Sequence, residues 1–372
     1  MGITTLLNGY TDEEDLKVKL KKKINIQNLH QLDGAVLFGA SELGKRFALQ
    51  LKKNRVNLKG FSDNNRKFWG KKIGDLFIMP PGNIKKDDLV IITSKSVLEI
   101  YDQLNKLGVK KVLGHLILTS IFPEEFPNIL HKNAFKLICK NKRKIISAYN
   151  LLSDQESKKI FFDILAYRQK LLPEYLPKIS KETIYFPKLS WTITKNETFV
   201  DVGAYDGDTF KEFIKQTVGK FNKYIALEPD RKNYNKFLKA IPGEFKQKVV
   251  LTSVGAGDEN QTVNFNATGG LDSRVSKKGE NRIKICKLDD LCSDEVVTMV
   301  KMDVEGHEPK VISGMSNILK KSKPKLAVCI YHRPDHLWEL PLLIARINPS
   351  YKKNFFIRHH HKELFETVLY CY

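Results

Sequence analysis

The 372-residue sequence has no run of eighteen or more apolar residues, so no helix is expected to span a membrane. Cysteine is scarce: positions 139, 286, 292, 329 and 371 form no CxxC pair. Cys286 and Cys292 have neither a histidine nor a second pair at zinc-site spacing, which excludes a recognisable zinc knuckle or disulfide framework and points to reduced thiols. Arginine is scarce too, 11 residues against 52 lysines, whereas reading planar phosphates and base edges favours arginine. The aromatic–arginine interleaving of single-strand binders is absent. Internal repeats and low-complexity tracts are also missing. Met1 to Asp15 is polar and acidic, without the basic start and apolar run of a signal peptide, so a cytoplasmic location is expected.

An apolar fraction of 42% is that of a globular protein, and the length suits two domains with separate cores. The net charge of +21 is uneven: residues 1–190 carry +15 and residues 191–372 carry +6. A solvated, lysine-rich face in the first half accounts for it, with peripheral association with an anionic membrane, or an anionic glycan, as the functional alternative. No strong nucleic-acid signal remains.

The hydrophobic periodicity predicts an α/β protein. A helical lead-in occupies 1–29, with Asp12 to Lys23 charged and apolar at helical spacing. In 30–120, strands at 35–39, 56–61, 89–93 and 111–118 alternate with helices at 42–54 and 96–107, which implies a small Rossmann-like parallel sheet. A helical connector follows over 121–190, including a helix at 156–172. The second sheet fills 191–372, with helices on both faces and strands at 198–202, 223–227, 249–254, 298–303 and 325–331. A terminal hairpin is expected over 354–358 and 366–371, and an inserted pair at 262–266 and 282–287.

Thr198-Phe-Val-Asp-Val-Gly-Ala-Tyr-Asp-Gly-Asp-Thr209 reads as an apolar strand, a glycine turn and a helix start. Tyr224-Ile-Ala-Leu-Glu-Pro-Asp230 is a second strand ending on an acid. Gly203 and Gly207 let the backbone approach a ligand, and Glu228 sits where an acceptor for two ribose hydroxyls belongs. An ordinary strand–turn–helix would need neither Asp201 before the turn nor Glu-Pro at the next strand end. An S-adenosylmethionine (SAM) site is therefore expected here.

Val300-Lys-Met-Asp-Val-Glu-Gly-His-Glu308 also brings a strand into an acid-rich turn, and Tyr331, His332 and Arg333 emerge from the following strand. Methyl transfer to oxygen requires the acceptor hydroxyl to lose its proton, which suits an imidazole. His332 and His307 are the candidate bases, with Asp303 as orienting partner or metal ligand; the sequence does not choose between a metal-free base and a divalent ion. Gly269-Gly-Leu-Asp-Ser-Arg274 is a polar loop that either folds over the cofactor or is a plain turn. Gly39-Ala-Ser-Glu-Leu-Gly44-Lys45-Arg46 nearly matches two phosphate-binding patterns and completes neither. Arg46 replaces the Ser/Thr of a P-loop, and Ser41 the second glycine of a dinucleotide fingerprint; Asp63 stands where a ribose-binding acid belongs.

Taken together, Tyr185-Phe-Pro187, Thr198 to Thr209, Leu227-Glu-Pro229, Leu288-Asp-Asp290, Lys301 to Glu308, and Tyr331-His332 leading into Leu337 to Leu343 resemble the FkbM family of SAM-dependent methyltransferases, from about residue 120 to the C-terminus. The resemblance implies a Rossmann-like methyltransferase fold, SAM as donor and O-methylation of sugars, glycans or polyketide-type products. By position it puts Asp201, Gly203, Ala204, Tyr205 and Gly207 along the methionine and ribose, Glu228 on the ribose, and Asp303 with Glu305 at the transfer site. Residues 30–118 resemble the nucleotide-binding-like domain fused to some bacterial members.

Three rival readings stand beside a SAM-dependent O-methyltransferase acting on a sugar or surface-glycan precursor. The first is RNA ribose 2′-O-methylation, since base chemistry is disfavoured: the one Pro-Pro pair is Met79-Pro-Pro-Gly82 and no Pro-Cys pair exists. The second is a cofactor-binding scaffold in glycan assembly without transfer. The third is an N-terminal dehydrogenase or ligase joined to a methyltransferase. A homo-oligomer is left open.

Overall fold

The computed structural model describes residues 2–94, 96–126, 134–189, 191–266, 274–275, 279 and 281–372. The chain divides into two compact units, one formed by Met1–Lys142, Phe161–Lys178 and His361–Leu364, the other by Arg143–Ile160, Ile179–His360 and Phe365–Tyr372. Residues 121–190, expected as a connector, are thus shared between the units. Among the described residues, no helix is long and apolar enough to cross a membrane.

In the first unit a six-stranded sheet has the order Lys72–Ile73, Leu76–Met79, Gly60–Ser62, Val36–Phe38, Leu89–Ile92, Lys111–Gly114. All pairs are parallel except the first, a short hairpin that periodicity did not reveal. Continuous burial of Val36–Phe38 explains its unbroken apolar run, as in a strand covered on both faces. Helix Glu42–Lys53 turns Phe47, Ala48 and Leu51 to the core. The strand expected at 111–118 ends at Gly114, and His115–Ile121 is helical. Ile117, Leu118 and Ile121 recur there at helical spacing and are buried.

The glycine turn of this unit is closed on itself. Asp63 accepts the Ala40 N–H through Oδ2 and the Asn65 N–H through Oδ1, each at 2.8 Å, so the acid expected for a ribose is engaged by the turn's own backbone. A Cβ at Gly44 would lie 2.0 Å from the Gly39 carbonyl oxygen. That contact makes Gly44 a helix-to-strand packing residue.

The second unit holds a seven-stranded sheet in the order Phe355–His359, Thr367–Cys371, Lys325–Cys329, Met299–Met302, Thr198–Val202, Lys223–Leu227, Val249–Thr252. The terminal hairpin is antiparallel, as is its pairing with Lys325–Cys329, and the other pairs are parallel. The inserted strands Gln261–Asn266 and Asn281–Cys286 form a smaller sheet with Gly255–Ala256 and Arg274–Val275. An aromatic cluster that includes Phe199, Phe210, Phe213, Phe221, Tyr224 and Phe237 fills part of the core. From Thr198–Val202 the chain winds outward to one side and then returns to Met299–Met302 on the other. The two strands are neighbours, and the crevice beyond their carboxyl ends is the switch point where doubly wound sheets bind ligands.

These two central strands carry an ion pair inside the sheet. Lys301 and Asp201 are register partners, and Lys301 Nζ lies 3.1 Å from Asp201 Oδ1 with both side chains buried. The Tyr224 hydroxyl donates to Asp201 Oδ2 at 2.5 Å, and Lys301 Nζ donates to the Gly203 carbonyl at 2.6 Å. Burial disfavours the lysine cation, but Asp201 outweighs it and raises the Lys301 pKa above its ordinary value. Asp201→Asn is expected to cost about 3–5 kcal/mol in denaturant unfolding, because it strands a buried cation. Adding Lys301→Met should recover most of that loss; equal destabilisation of the single and double variants would refute the pairing.

Candidate active site

A cavity of about 120 Å³ opens at the switch point, lined by Val202, Gly203 and Tyr205 from one strand end and by Leu227, Glu228 and Pro229 from the next. Asp303, Val304, Glu305 and His307 line it from the strand Met299–Met302. Phe265, Ile283 and Ile285 of the smaller sheet add an apolar wall. The turns crowd together: a Cβ at Gly203 would stand 2.0 Å from the Asp303 carbonyl oxygen, and its φ of +79° suits glycine. Tyr205 (φ 48°) and Glu305 (φ 52°) hold left-handed backbone without being glycine, a strain that clusters at functional turns.

Glu228 anchors one side. Its Oε2 accepts the Tyr205 N–H and its Oε1 the Asp230 N–H, each at 2.8 Å. Burial nevertheless pushes its pKa up to about 7. Asn233 lines the same cavity, 1% exposed, and its Oδ1 has no hydrogen-bond partner.

The acid-rich turn and the strand end after Cys329 form a tight cluster. Glu308, fully buried, accepts the Val304 N–H at 3.1 Å, the Gly306 N–H at 3.4 Å and a 2.7 Å hydrogen bond from His332 Nδ1, all at Oε1. His332 Nε2 faces Asp303 Oδ1 at 3.2 Å and Glu305 Oε1 at 3.7 Å. The Tyr185 hydroxyl donates to Asp303 Oδ2 at 3.1 Å. Burial opposes charge on Asp303, but His332 and Lys301 together hold its pKa below the ordinary carboxylate range. Burial likewise opposes the His332 cation, and Asp303 and Glu308 outweigh it, so its pKa lies well above the ordinary value. His307 is the opposite case: burial, then Lys310, lower its pKa, and its ring makes no hydrogen bond among the described residues.

Of the residues singled out from the sequence, Gly203, Tyr205, Glu228, Asp303, Glu305 and His307 meet around one cavity. Asp201, Ala204 and Gly207 do not line it. Asp201 is enclosed by Lys301 and Tyr224, Ala204 is buried behind the turn, and Gly207 packs against the Phe237 ring, where a Cβ would lie 2.4 Å away. His332 was a candidate base with Asp303 as its orienting partner; Asp303 does face Nε2, but Glu308 faces Nδ1 as well and the cation is favoured, which unsuits His332 to accept a proton. The 269–274 loop lies, except for Arg274, outside the described residues. Sequence reasoning missed Asn233, Glu366 and the apolar wall of Phe265, Ile283 and Ile285. A lysine inside the apolar run Met299–Met302 was the available signal for Lys301.

Gly203→Ala and Gly34→Ala separate strain from collision. Gly34 has a φ of +78° with nothing within 4 Å of an added methyl, so its substitution should lose only about 1–2 kcal/mol. Gly203→Ala should lose at least about 1 kcal/mol more in thermal unfolding, as the methyl strikes the Asp303 carbonyl; equal losses would contradict the close approach of the two turns.

The family described as "Methyltransferase FkbM domain" matches residues 201–365, and "C2185-like, N-terminal" matches residues 32–112. Among solved structures, the methyltransferase FkbM from Methylobacillus flagellatus aligns with a TM-score of 0.73 at 21% identity, over 97% of this chain and 99% of that one. The fold is therefore shared along both chains. Fibrillarin from Aeropyrum pernix, solved with natively bound SAM, aligns with a TM-score of 0.31 at 7% identity over 48% of this chain and 69% of its own, too slight an overlap to carry an argument. No curated protein matches the sequence.

Proposed function

Residues 201–365 belong to the FkbM methyltransferase family, and on that premise we propose that the protein transfers a methyl group from SAM to a hydroxyl of a sugar or surface-glycan precursor. The observation that carries this reading is one cavity lined by Glu228, by an apolar wall and by the Asp303–Glu305 turn. The lining fits the donor. Buried Asn233 Oδ1 lacks a partner, Glu228 has acceptor lone pairs beyond those its two amides use, and Phe265, Ile283 and Ile285 offer a flat apolar face to a base.

Bound SAM supplies an electrophilic methyl group on a sulfonium. Glu228 would hold the ribose hydroxyls, and the anionic turn at Asp303 and Glu305 would attract the positive sulfur. Asp303 and Glu305 orient the acceptor hydroxyl. His307, neutral and facing the cavity, would accept the proton that the hydroxyl releases as the methyl passes from sulfur to oxygen, the S–C bond breaking and the donor leaving as a neutral thioether. His332 holds the two carboxylates in place. The free cysteines, Cys292, Cys329 and Cys371 among them buried, support a reducing, cytoplasmic location.

Because Glu228 protonates near pH 7, SAM affinity measured by calorimetry should fall as the pH drops below about 7 and level off above it. Glu228→Gln should weaken binding about 10- to 100-fold and flatten that dependence. A pH-independent affinity in the unaltered protein would remove Glu228 from the site.

The activity itself is tested by incubating the protein with SAM and a panel of nucleotide sugars and glycan fragments, reading the demethylated donor and a methyl ether by mass spectrometry. Formation of an O-methyl sugar is expected. Methylation confined to RNA, or no SAM binding at all, would overturn the proposal.

A further inference from the structure

We propose that Asp303, Glu305 and His332 form a divalent-cation site of the Mn²⁺ or Mg²⁺ class within the transfer site; the inference rests on the O-methyl transfer reading and adds to it the group that would bind and acidify the acceptor hydroxyl. One atom from each of the three side chains lies within 4.8 Å of the others. The His332 Nε2 separations of 3.2 Å to Asp303 Oδ1 and 3.7 Å to Glu305 Oε1 have the right scale. Donors about 2.1 Å from one cation stand about 3.0 Å apart at a right angle and about 4.2 Å apart when opposite.

The histidine supplies the second, independent observation. Its side chain is 6% exposed, yet Nε2 makes no well-aligned hydrogen bond, while Nδ1 is bonded to Glu308 Oε1 at 2.7 Å. With Glu308 holding the Nδ1 proton, Nε2 is the nitrogen aimed at Asp303 and Glu305 and the one that would donate its lone pair to a bound cation. The same carboxylate–histidine pairing orients imidazole ligands in metal sites.

The rest of the cluster is arranged to the same end. The Tyr185 hydroxyl donates to Asp303 Oδ2 at 3.1 Å and the Tyr331 hydroxyl reaches Oδ1 at 3.4 Å, so both oxygens are positioned, with Oδ1 on the side of His332. Glu308 Oε1 also binds the N–H groups of Val304 and Gly306, which flank Glu305 and hold its strained backbone, so one buried carboxylate sets both the imidazole and the Glu305 turn. Two carboxylates and one imidazole suit Mn²⁺ and Mg²⁺ better than a thiolate-seeking ion. Three protein donors leave positions for the acceptor, whose hydroxyl a bound cation would acidify.

The test uses full-length, chelator-treated protein titrated with MnCl₂ in a calorimeter, without donor or acceptor. One Mn²⁺ per chain is expected to bind. Glu305→Gln and His332→Gln should each weaken it at least about tenfold, and Glu308→Gln, which removes the orienting carboxylate, about 10- to 100-fold. Absence of saturable Mn²⁺ binding, or affinity unchanged in Glu305→Gln and His332→Gln, overturns the site. Circular dichroism and thermal unfolding of the same variants report whether the fold survives, and folded variants that lose Mn²⁺ are the expected result. Chelated protein that methylates at full rate would overturn the cation site and leave the methyltransferase reading intact, whereas Mn²⁺ binding without any SAM binding would do the reverse.

Discussion

The buried pair between Lys301 and Asp201 is the contact on which the rest of this site depends. It joins the two central strands at the point where the chain reverses its direction of winding, one residue before each strand reaches its carboxyl end. Pairing within low dielectric is costly unless the partners are also hydrogen-bonded, and here they are: Tyr224 serves Asp201, and the Gly203 carbonyl serves Lys301. The last contact reaches out of the core into the ligand turn. A charge placed inside the sheet therefore fixes the path of the backbone that must approach the ligand.

The second organising feature is an excess of carboxylates around few cations. Asp303, Glu305, Glu308 and Glu366 gather near the strand ends, while Lys301 and His332 are the cations that act on Asp303. Glu366 shows the strain of this arrangement: burial and then Asp303 raise its pKa. Asp303 and Glu308, by contrast, stay anionic because His332 lies between them. Such a site, with more carboxylates than cations, gains from any further cation that enters. Both a sulfonium and a divalent ion answer to that description, which links the proposed donor and the inferred metal through one electrostatic cause.

The sheet strands were legible because buried parallel strands are unbroken apolar runs; Thr198–Val202 and Lys223–Leu227 fall where the sequence placed them. The crowding of Glu228, Asp303, Glu305 and His307 was legible because strand ends in such folds converge. What misled was polarity read without burial. Asp201 looks like a ligand residue in one dimension, yet it alternates inward to meet a lysine far along the chain, and no local pattern reports that partner. The same limit applied to His332, whose role depends on Glu308 and Asp303 facing both ring nitrogens. Periodicity also failed at Lys111–Ile121, where Gly114 ends a strand inside one continuous apolar stretch.

Strain and rigidity are matched across the cavity. Tyr205 and Glu305 both adopt left-handed backbone, at a cost of about 1–3 kcal/mol each, and each turn is held by a buried carboxylate further along the chain. Glu228 grips the Tyr205 amide; Glu308 grips the amides on either side of Glu305. In both cases a change that protonates or removes the gripping acid would relax a turn that lines the cavity. Backbone order at this switch point is consequently set by two buried glutamates, and under the proposed donor reading affinity would follow it.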